Sequence, residues 1–151
     1  VKHFCKAVDV EKVWAVSRLA RQRGMHVEIT TLVIPTVNDS DTTLRGIAER
    51  TVAELGPEVP WHVSAYFPAY RFTAPPTPIP TLEQAWQIGK EAGLKFVYVG
   101  NIASHHYEHT YCPTCGTVLI RRSGFDVIVN ILGAGECPQC RQQITGVWQS
   151  C

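Results

Sequence analysis

Two short cysteine pairs constrain this chain more than any other feature: Cys112-Pro113-Thr114-Cys115-Gly116 and Cys137-Pro138-Gln139-Cys140. A C-x-x-C turn aims both sulfurs at one point. Two such turns at the ends of a short β unit close a tetrahedron of four thiolates. That donor set selects Zn²⁺, or a single iron. The residues between the pairs fit a β-hairpin, with Val118 to Arg121 as one strand, a turn at Ser123-Gly124, and Val127 to Asn130 as the other. Cys112, Cys115, Cys137 and Cys140 are therefore the predicted metal ligands of a zinc ribbon. Two disulfides would suit a small secreted domain, and the opening residues carry no secretory pattern. A redox C-x-x-C would start a helix, and neither pair is followed by a helical pattern. Cys5 reads as a small buried or half-buried side chain and Cys151 as the end of a ragged tail.

At 151 residues and a formal charge of +1, the chain can hold one domain plus a small module, and it presents no broad electrostatic footprint for nucleic acid or a membrane surface. No apolar run approaches the roughly 20 residues that span a bilayer. Reduced thiols at metal spacing point to the cytoplasm.

Upstream of the cysteines the pattern alternates helix and strand. Asp9 is placed to cap a helix with an apolar stripe at Val13, Trp14, Val16, Leu19 and Ala20, ended by Gly24. His26 to Ile34 reads as a β-branched strand stopped by Pro35. A second helix starts near Ser40 or Asp41, carries Leu44, Ile47, Ala48 and Leu55, and stops at Gly56. Trp61 to Phe67 is a second strand. Thr81-Leu82-Glu83-Gln84 is a capping box for a third helix ending at Gly93, and Lys95 to Val99 is a third strand. Three αβ units in succession predict a parallel sheet with packed helices. Three parallel strands cannot close a barrel, so the sheet is expected to continue upstream, making this the C-terminal portion of a longer protein. The division expected is an α/β barrel portion over 1–104 and a linker with the four-cysteine ribbon over 105–151.

In parallel α/β folds ligands sit beyond the carboxyl ends of the strands. Three segments occupy that place: Pro35 to Ser40, the loop from Pro68 through Pro75, Pro76, Pro78 and Pro80, and Gly100-Asn101 with His105, His106 and His109 beyond. The proline-rich loop reads either as a substrate-facing lid or as an extended strap across the barrel mouth. Asn38-Asp39-Ser40 is consistent with a turn and helix cap. Ser64 and Tyr66 share one strand face and would meet a ligand if that face is the lumen. The histidines are surplus to a site that four cysteines already fill.

Several of these segments carry a resemblance. Val27 to Pro35 followed by Asn38-Asp39-Ser40, Pro60 to Ser64, the Pro75-Pro76-Thr77-Pro78 loop, Tyr98 to Asn101, Thr110 to Pro113, and Ile144 to Trp148 together resemble radical S-adenosylmethionine (SAM) enzymes. The likeness is to the radical SAM proteins of the AmmeMemoRadiSam system, relatives of pyruvate formate-lyase activating enzymes. It runs from about residue 9 to Trp148. The resemblance implies the C-terminal part of a TIM-type radical SAM barrel followed by a β-hairpin zinc ribbon. In the full protein, SAM would be reductively cleaved to a 5′-deoxyadenosyl radical, with activation of a partner protein as the analogy to activating enzymes.

By the same resemblance a 4Fe–4S cluster is held by C-x-x-x-C-x-x-C, a motif this sequence does not contain and that would lie upstream, so the fragment alone is expected to be inactive. The resemblance places Leu32, Val33 and Ile34 beside the SAM adenine and Ser64 and Tyr66 near its methionyl or substrate side. Phe67 stands where many relatives carry His, which removes a polar contact, and Arg141 replaces the glycine usual after the second knuckle. Two other classes fit the same residues. One is a zinc-ribbon module binding protein or, less well given the charge, nucleic acid, attached to an inert α/β domain. The other is a rubredoxin-like iron site for electron transfer.

Overall fold

The computed structural model describes residues 9–102 and 106–148. Cys5, His105 and Cys151 lie outside the described residues. Helix α1 spans Val10–Gln22, and the Asp9 carboxylate caps it by accepting the Glu11 N–H at 3.1 Å. Only Trp14 of this helix is buried, in a small cluster with Leu55 and Val59. Ala20 of the predicted stripe is half-buried, and Val13, Val16 and Leu19 face outward, exposed by 53%, 65% and 50%. Their periodicity is helical, but nothing among the described residues covers them.

Strand β1, Ile29–Val33, is shorter than predicted. Pro35 cannot donate to a ladder, and the Asn38 side chain takes over the strand end. It accepts the Ile34 N–H at 2.7 Å and donates to the Leu32 carbonyl at 2.9 Å, while Asp39 accepts the Thr36 N–H at 2.9 Å. The chain then enters α2, Asp41–Leu55, capped by Ser40, whose hydroxyl accepts the Thr43 N–H at 3.3 Å. Strand β2 is Trp61–Ala65, helix α3 Ile79–Glu91 and strand β3 Val97–Gly100. The predicted capping box does not form. Helix α3 begins three residues earlier, with Pro78 as its N-cap in place of Thr81 and Pro80 in its first turn, so Thr81 already lies inside the helix, where its N–H bonds to the Pro78 carbonyl at 3.0 Å.

The three strands form a parallel sheet in the order β1-β2-β3. Side chains alternate across it, and the two faces have different fates. Val33, Trp61, Val63, Ala65, Val97 and Val99 point into one core with Leu44 and Ala48 of α2 and Leu82, Ala85 and Ile88 of α3. Thr31 shares that face; its hydroxyl accepts the Trp61 indole N–H at 2.9 Å, which satisfies both polar groups inside the core. Gly89 is required where α3 crosses the sheet, since a Cβ there would lie 2.9 Å from both the Trp61 ring and Val97. The opposite face carries Thr30, Leu32, His62, Ser64, Tyr98 and Gly100, all at least partly exposed. Both helices thus cover the same side, and the other is open.

After the short 3₁₀ turn His106–Glu108 come three antiparallel strands, β4 (Thr110–Tyr111), β5 (Val118–Ser123) and β6 (Asp126–Asn130), in the order β4-β5-β6. Ser123 pairs with Asp126, so the hairpin turns at Gly124-Phe125, one residue later than predicted. Leu119, Ile120, Leu132 and Ile144 form the core of this module, and Phe96 of the α/β unit joins it. Polar contacts fix the same junction. The Tyr98 and Thr110 hydroxyls are 3.0 Å apart, and Glu58 accepts the Thr145 hydroxyl at 2.6 Å while pairing with Lys95 at 2.7 Å. Among the described residues no helix is long and apolar enough to cross a membrane.

Candidate metal centre and open sheet face

The four cysteines converge as their spacing requires. All four Sγ atoms lie within 4.8 Å of one another, with Cys112 to Cys140 at 3.5 Å and Cys115 to Cys137 at 3.7 Å. A tetrahedral ion with metal–sulfur bonds of about 2.3 Å needs sulfurs about 3.8 Å apart. None of the four is in a disulfide, and the segment after Cys115 enters β5 rather than a helix. The group can hold a metal ion such as Zn²⁺.

The two knuckles have the same backbone wiring. The Cys112 N–H bonds to the Thr117 carbonyl at 2.8 Å and the Gly116 N–H to the Cys112 carbonyl at 2.9 Å. In the second knuckle Cys137 bonds to Gln142 and Arg141 to Cys137, each at 2.9 Å. The residue after the second cysteine must adopt positive φ. Gly116 does so at 74° without cost, whereas Arg141 is held at 64°, a left-handed conformation that its Cβ disfavours. The departure from glycine seen in the sequence is therefore a strained position in the fold.

The tetrad is electrically poised. The Thr117 hydroxyl and then its backbone N–H stabilise the Cys115 thiolate, with help from the neighbouring thiols, and lower its pKa to about 6. At Cys140 the Gln142 backbone hydrogen bond favours the thiolate, but desolvation and the adjacent thiols outweigh it and push the pKa up to about 12. A cation at the centre would relieve that opposition, since four crowded thiolates need a positive charge among them.

The other predicted site residues separate by strand face. Leu32 and Ser64 pair in register on the open face, and Ser64 pairs with Gly100. Ile34 shares their parity just beyond the end of β1 and is mostly buried. Val33 is different: its side chain is fully buried in the helix-side core and cannot present itself to a ligand on the open face. Tyr66 follows the end of β2 and is buried, with its phenol donating to the Phe72 carbonyl at 2.9 Å. Its polar group is occupied within the proline-rich loop. Phe67 is exposed. His109 accepts the Arg122 N–H at 3.3 Å, and neither it nor His106 belongs to the metal-ligand group.

Two features escaped the sequence. Thr77 sits in the proline-rich loop, yet its buried hydroxyl donates to the Val33 carbonyl at 2.6 Å and accepts the Tyr66 N–H at 2.7 Å. The second half of that loop is thereby a strap pinned across the ends of β1 and β2. The second feature is a row across the open face. Glu28 accepts from His26 at 2.8 Å and from His62 at 2.7 Å, His62 stacks on Tyr98 with centroids 5.1 Å apart, and Arg122 of β5 lies 5.4 Å over the Tyr98 ring. Strand pairing sets His62 and Tyr98 beside Glu28, and the packing of the second sheet adds Arg122, so no local motif announces the row.

No family model and no solved structure matches the chain. It is similar to an uncharacterized protein of Methanocaldococcus jannaschii, 42% identical over 146 residues that make up 95% of this chain. The chain spans 44% of the length of that relative.

Proposed function

We propose that this chain is the C-terminal portion of a radical SAM enzyme and that its four cysteines hold a structural Zn²⁺. The observation that carries the reading is the row Leu32–Ser64–Gly100, set side by side on the open face toward the carboxyl ends of three parallel strands. It offers an apolar side chain, a hydroxyl and a bare backbone position in one line. A flat heteroaromatic ring can rest on Leu32 and Gly100 and bond to the Ser64 hydroxyl, at the end of the sheet where parallel α/β folds bind ligands. Ile34 extends the apolar wall. Val33 contributes through its carbonyl, which Thr77 pins, and Tyr66 through the loop it anchors.

The shape of the α/β unit supports the same reading. A helix preceding a parallel strand is normally the right-handed crossover from a neighbouring strand. On this reading α1 crosses over from a strand pairing with the free edge of β1, and Val13, Val16 and Leu19 cover it. The Methanocaldococcus jannaschii protein extends well beyond the region of similarity, which leaves room for such strands. The cluster implied by the resemblance does not fit the residues of this chain, because the four described cysteines already form one tetrad and the three-cysteine motif is absent from the sequence. Its ligands belong elsewhere in the protein on this reading. SAM supplies the adenosyl group of the reaction; what this chain contributes is a wall that binds and orients it and excludes water. Four protein thiolates leave no open coordination position, so the zinc acts as a fold element.

The test uses the full-length protein, with SAM affinity measured by equilibrium dialysis. Leu32→Asp should weaken SAM binding about tenfold or more, equivalent to roughly 1.4 kcal/mol, with little change in thermal stability. Val33→Asp should instead unfold the protein, because it places a carboxylate in a core covered by two helices. If Leu32→Asp folds and binds SAM like the parent, the open face does not line the cofactor site.

A further inference from the structure

We propose that the cleft between the open sheet face and the cysteine module binds a small organic anion, with Arg122 holding its carboxylate or phosphate and the module's apolar side chains holding its body. The inference rests on the cleft itself and not on the radical SAM reading. The cavity measures about 1020 Å³, at the upper end of what small-molecule sites occupy. One wall is the sheet, through His62 and Tyr98; the other is the module, through Arg122, Ile120 and Phe125. Gly100 lines the same cavity, and Tyr98 stands two residues before it, roughly 7 Å along the strand, so the Arg122 end of the cleft lies next to the row assigned to SAM rather than within it.

Arg122 is built for recognition rather than for a structural ion pair. Its Nη1 donates to the Glu108 carbonyl at 3.1 Å and to the Thr110 hydroxyl at 2.8 Å, and the Tyr98 ring supports the guanidinium plane. These contacts use two of its five N–H donors and fix the fork. The Tyr98 hydroxyl also bonds to the guanidinium, and no carboxylate among the described residues takes the donors that remain. Arg18, Arg45, Arg50 and Arg141 each pair with a glutamate; Arg122 pairs with no carboxylate among the described residues. The acids that line the same cleft are already committed. Glu28 is engaged by His26 and His62, and the Glu108 carboxylate accepts the Gly124 N–H at 2.9 Å. A pre-oriented guanidinium with no carboxylate partner among the described residues matches a planar or tetrahedral oxyanion.

The module side of the cleft adds apolar surface. Phe96 and Ile120 form a buried floor, while Phe125 and Val147 stand fully or largely in water at the rim. Apolar side chains held exposed around a fixed cation suit a ligand with a flat apolar body and one anionic group.

The probes are anilinonaphthalene sulfonate, a flat apolar anion, and phenylnaphthylamine, the same ring system without the charge, each titrated by fluorescence into the full zinc-loaded chain. The parent should bind the sulfonate more tightly than the neutral amine. Arg122→Gln should weaken sulfonate binding about tenfold, the loss expected for a charge-assisted hydrogen bond, and Arg122→Lys should weaken it less. Val147→Glu adds a like charge at an exposed rim position, so it tests the same idea without disturbing the Arg122 hydrogen bonds, and it should also weaken the sulfonate. Affinity for the neutral amine should change less than about twofold in every variant. If Arg122→Gln loses zinc or fails to fold, Val147→Glu decides alone. The proposal is overturned if the parent binds the two probes equally, or if Val147→Glu and every folded Arg122 variant bind the sulfonate like the parent.

Discussion

Replacing Thr77 with valine should be among the most damaging isosteric changes in the α/β unit. The side chain is almost fully buried, and its hydroxyl bridges the Val33 carbonyl and the Tyr66 N–H at 2.6 and 2.7 Å. Valine matches threonine in shape, so no cavity forms and the apolar contacts persist. What changes is that two buried backbone groups lose their partner, each at a cost of about 1–3 kcal/mol. The backbone bond from the Thr77 N–H to the Tyr66 carbonyl at 3.0 Å survives and keeps the strap in place. The expected loss is about 3 kcal/mol, a large part of the roughly 5–15 kcal/mol by which a domain is stable. Urea unfolding followed by tryptophan fluorescence measures it, because the buried Trp61 sits in the core beneath the strand. Thr77→Ser keeps the hydroxyl and should lose only about 1 kcal/mol with the methyl group. If the valine variant lies within about 0.5 kcal/mol of the parent, or if valine and serine cost the same, the hydroxyl does not hold the strand ends.

Cys137→Ser should abolish stoichiometric metal binding and open residues 106–148 to proteolysis, while the helical circular dichroism of α1 to α3 remains; elemental analysis that finds neither zinc nor iron in the parent would refute the metal centre. Arg141→Gly should raise the stability of the module by about 0.5–1 kcal/mol by relieving the left-handed strain, since the exposed Arg141–Glu136 pair that it removes contributes little. Hydrogen bonds from Arg50, Lys95 and Arg45 hold Glu11, Glu58 and Glu91 below the ordinary carboxyl value of 4.5. Folded pKa values below the unfolded ones give stability that is complete above about pH 4.5 and lost as the pH falls through the folded values. Thermal unfolding read at the helical signal should therefore occur at lower temperature at about pH 3.5 than at about pH 6, and equal midpoints would contradict the assignment.

What the sequence revealed was local in origin. The metal ligands followed from two C-x-x-C turns, each of which folds on its own backbone hydrogen bonds, so spacing alone identified Cys112, Cys115, Cys137 and Cys140. The start of α2 followed from Ser40, whose cap is made within three residues. The parts that stayed hidden depend on distant partners. Thr77 looks like any residue of a proline-rich loop until the ends of β1 and β2 are placed beside it. Val33 and Leu32 are equivalent as β-formers, and only the location of α2 and α3 decides which one faces the core. The capping box at Thr81 is a sound local signal overridden by the Pro78–Pro80 entry, which starts the helix three residues earlier.

The α1 stripe carries the most instructive mismatch between pattern and burial. Its spacing is that of a core-facing helix, yet three of its apolar side chains are at least half exposed while α2 and α3 are fully seated. The difference follows from position. Helix α3 lies over β2 and β3 and α2 packs beside it into the same core, whereas α1 precedes the edge strand β1 and packs against α2. At the other edge the turn 106–108 and β4 pack beside β3, through the Tyr98 and Thr110 hydroxyls among other contacts. Under the proposed reading, further strands therefore add at β1, beneath Val13, Val16 and Leu19. The cysteine module stays on the β3 side as a fixed wall, and the open face between the two becomes enclosed without any change in the register that aligns Leu32, Ser64 and Gly100.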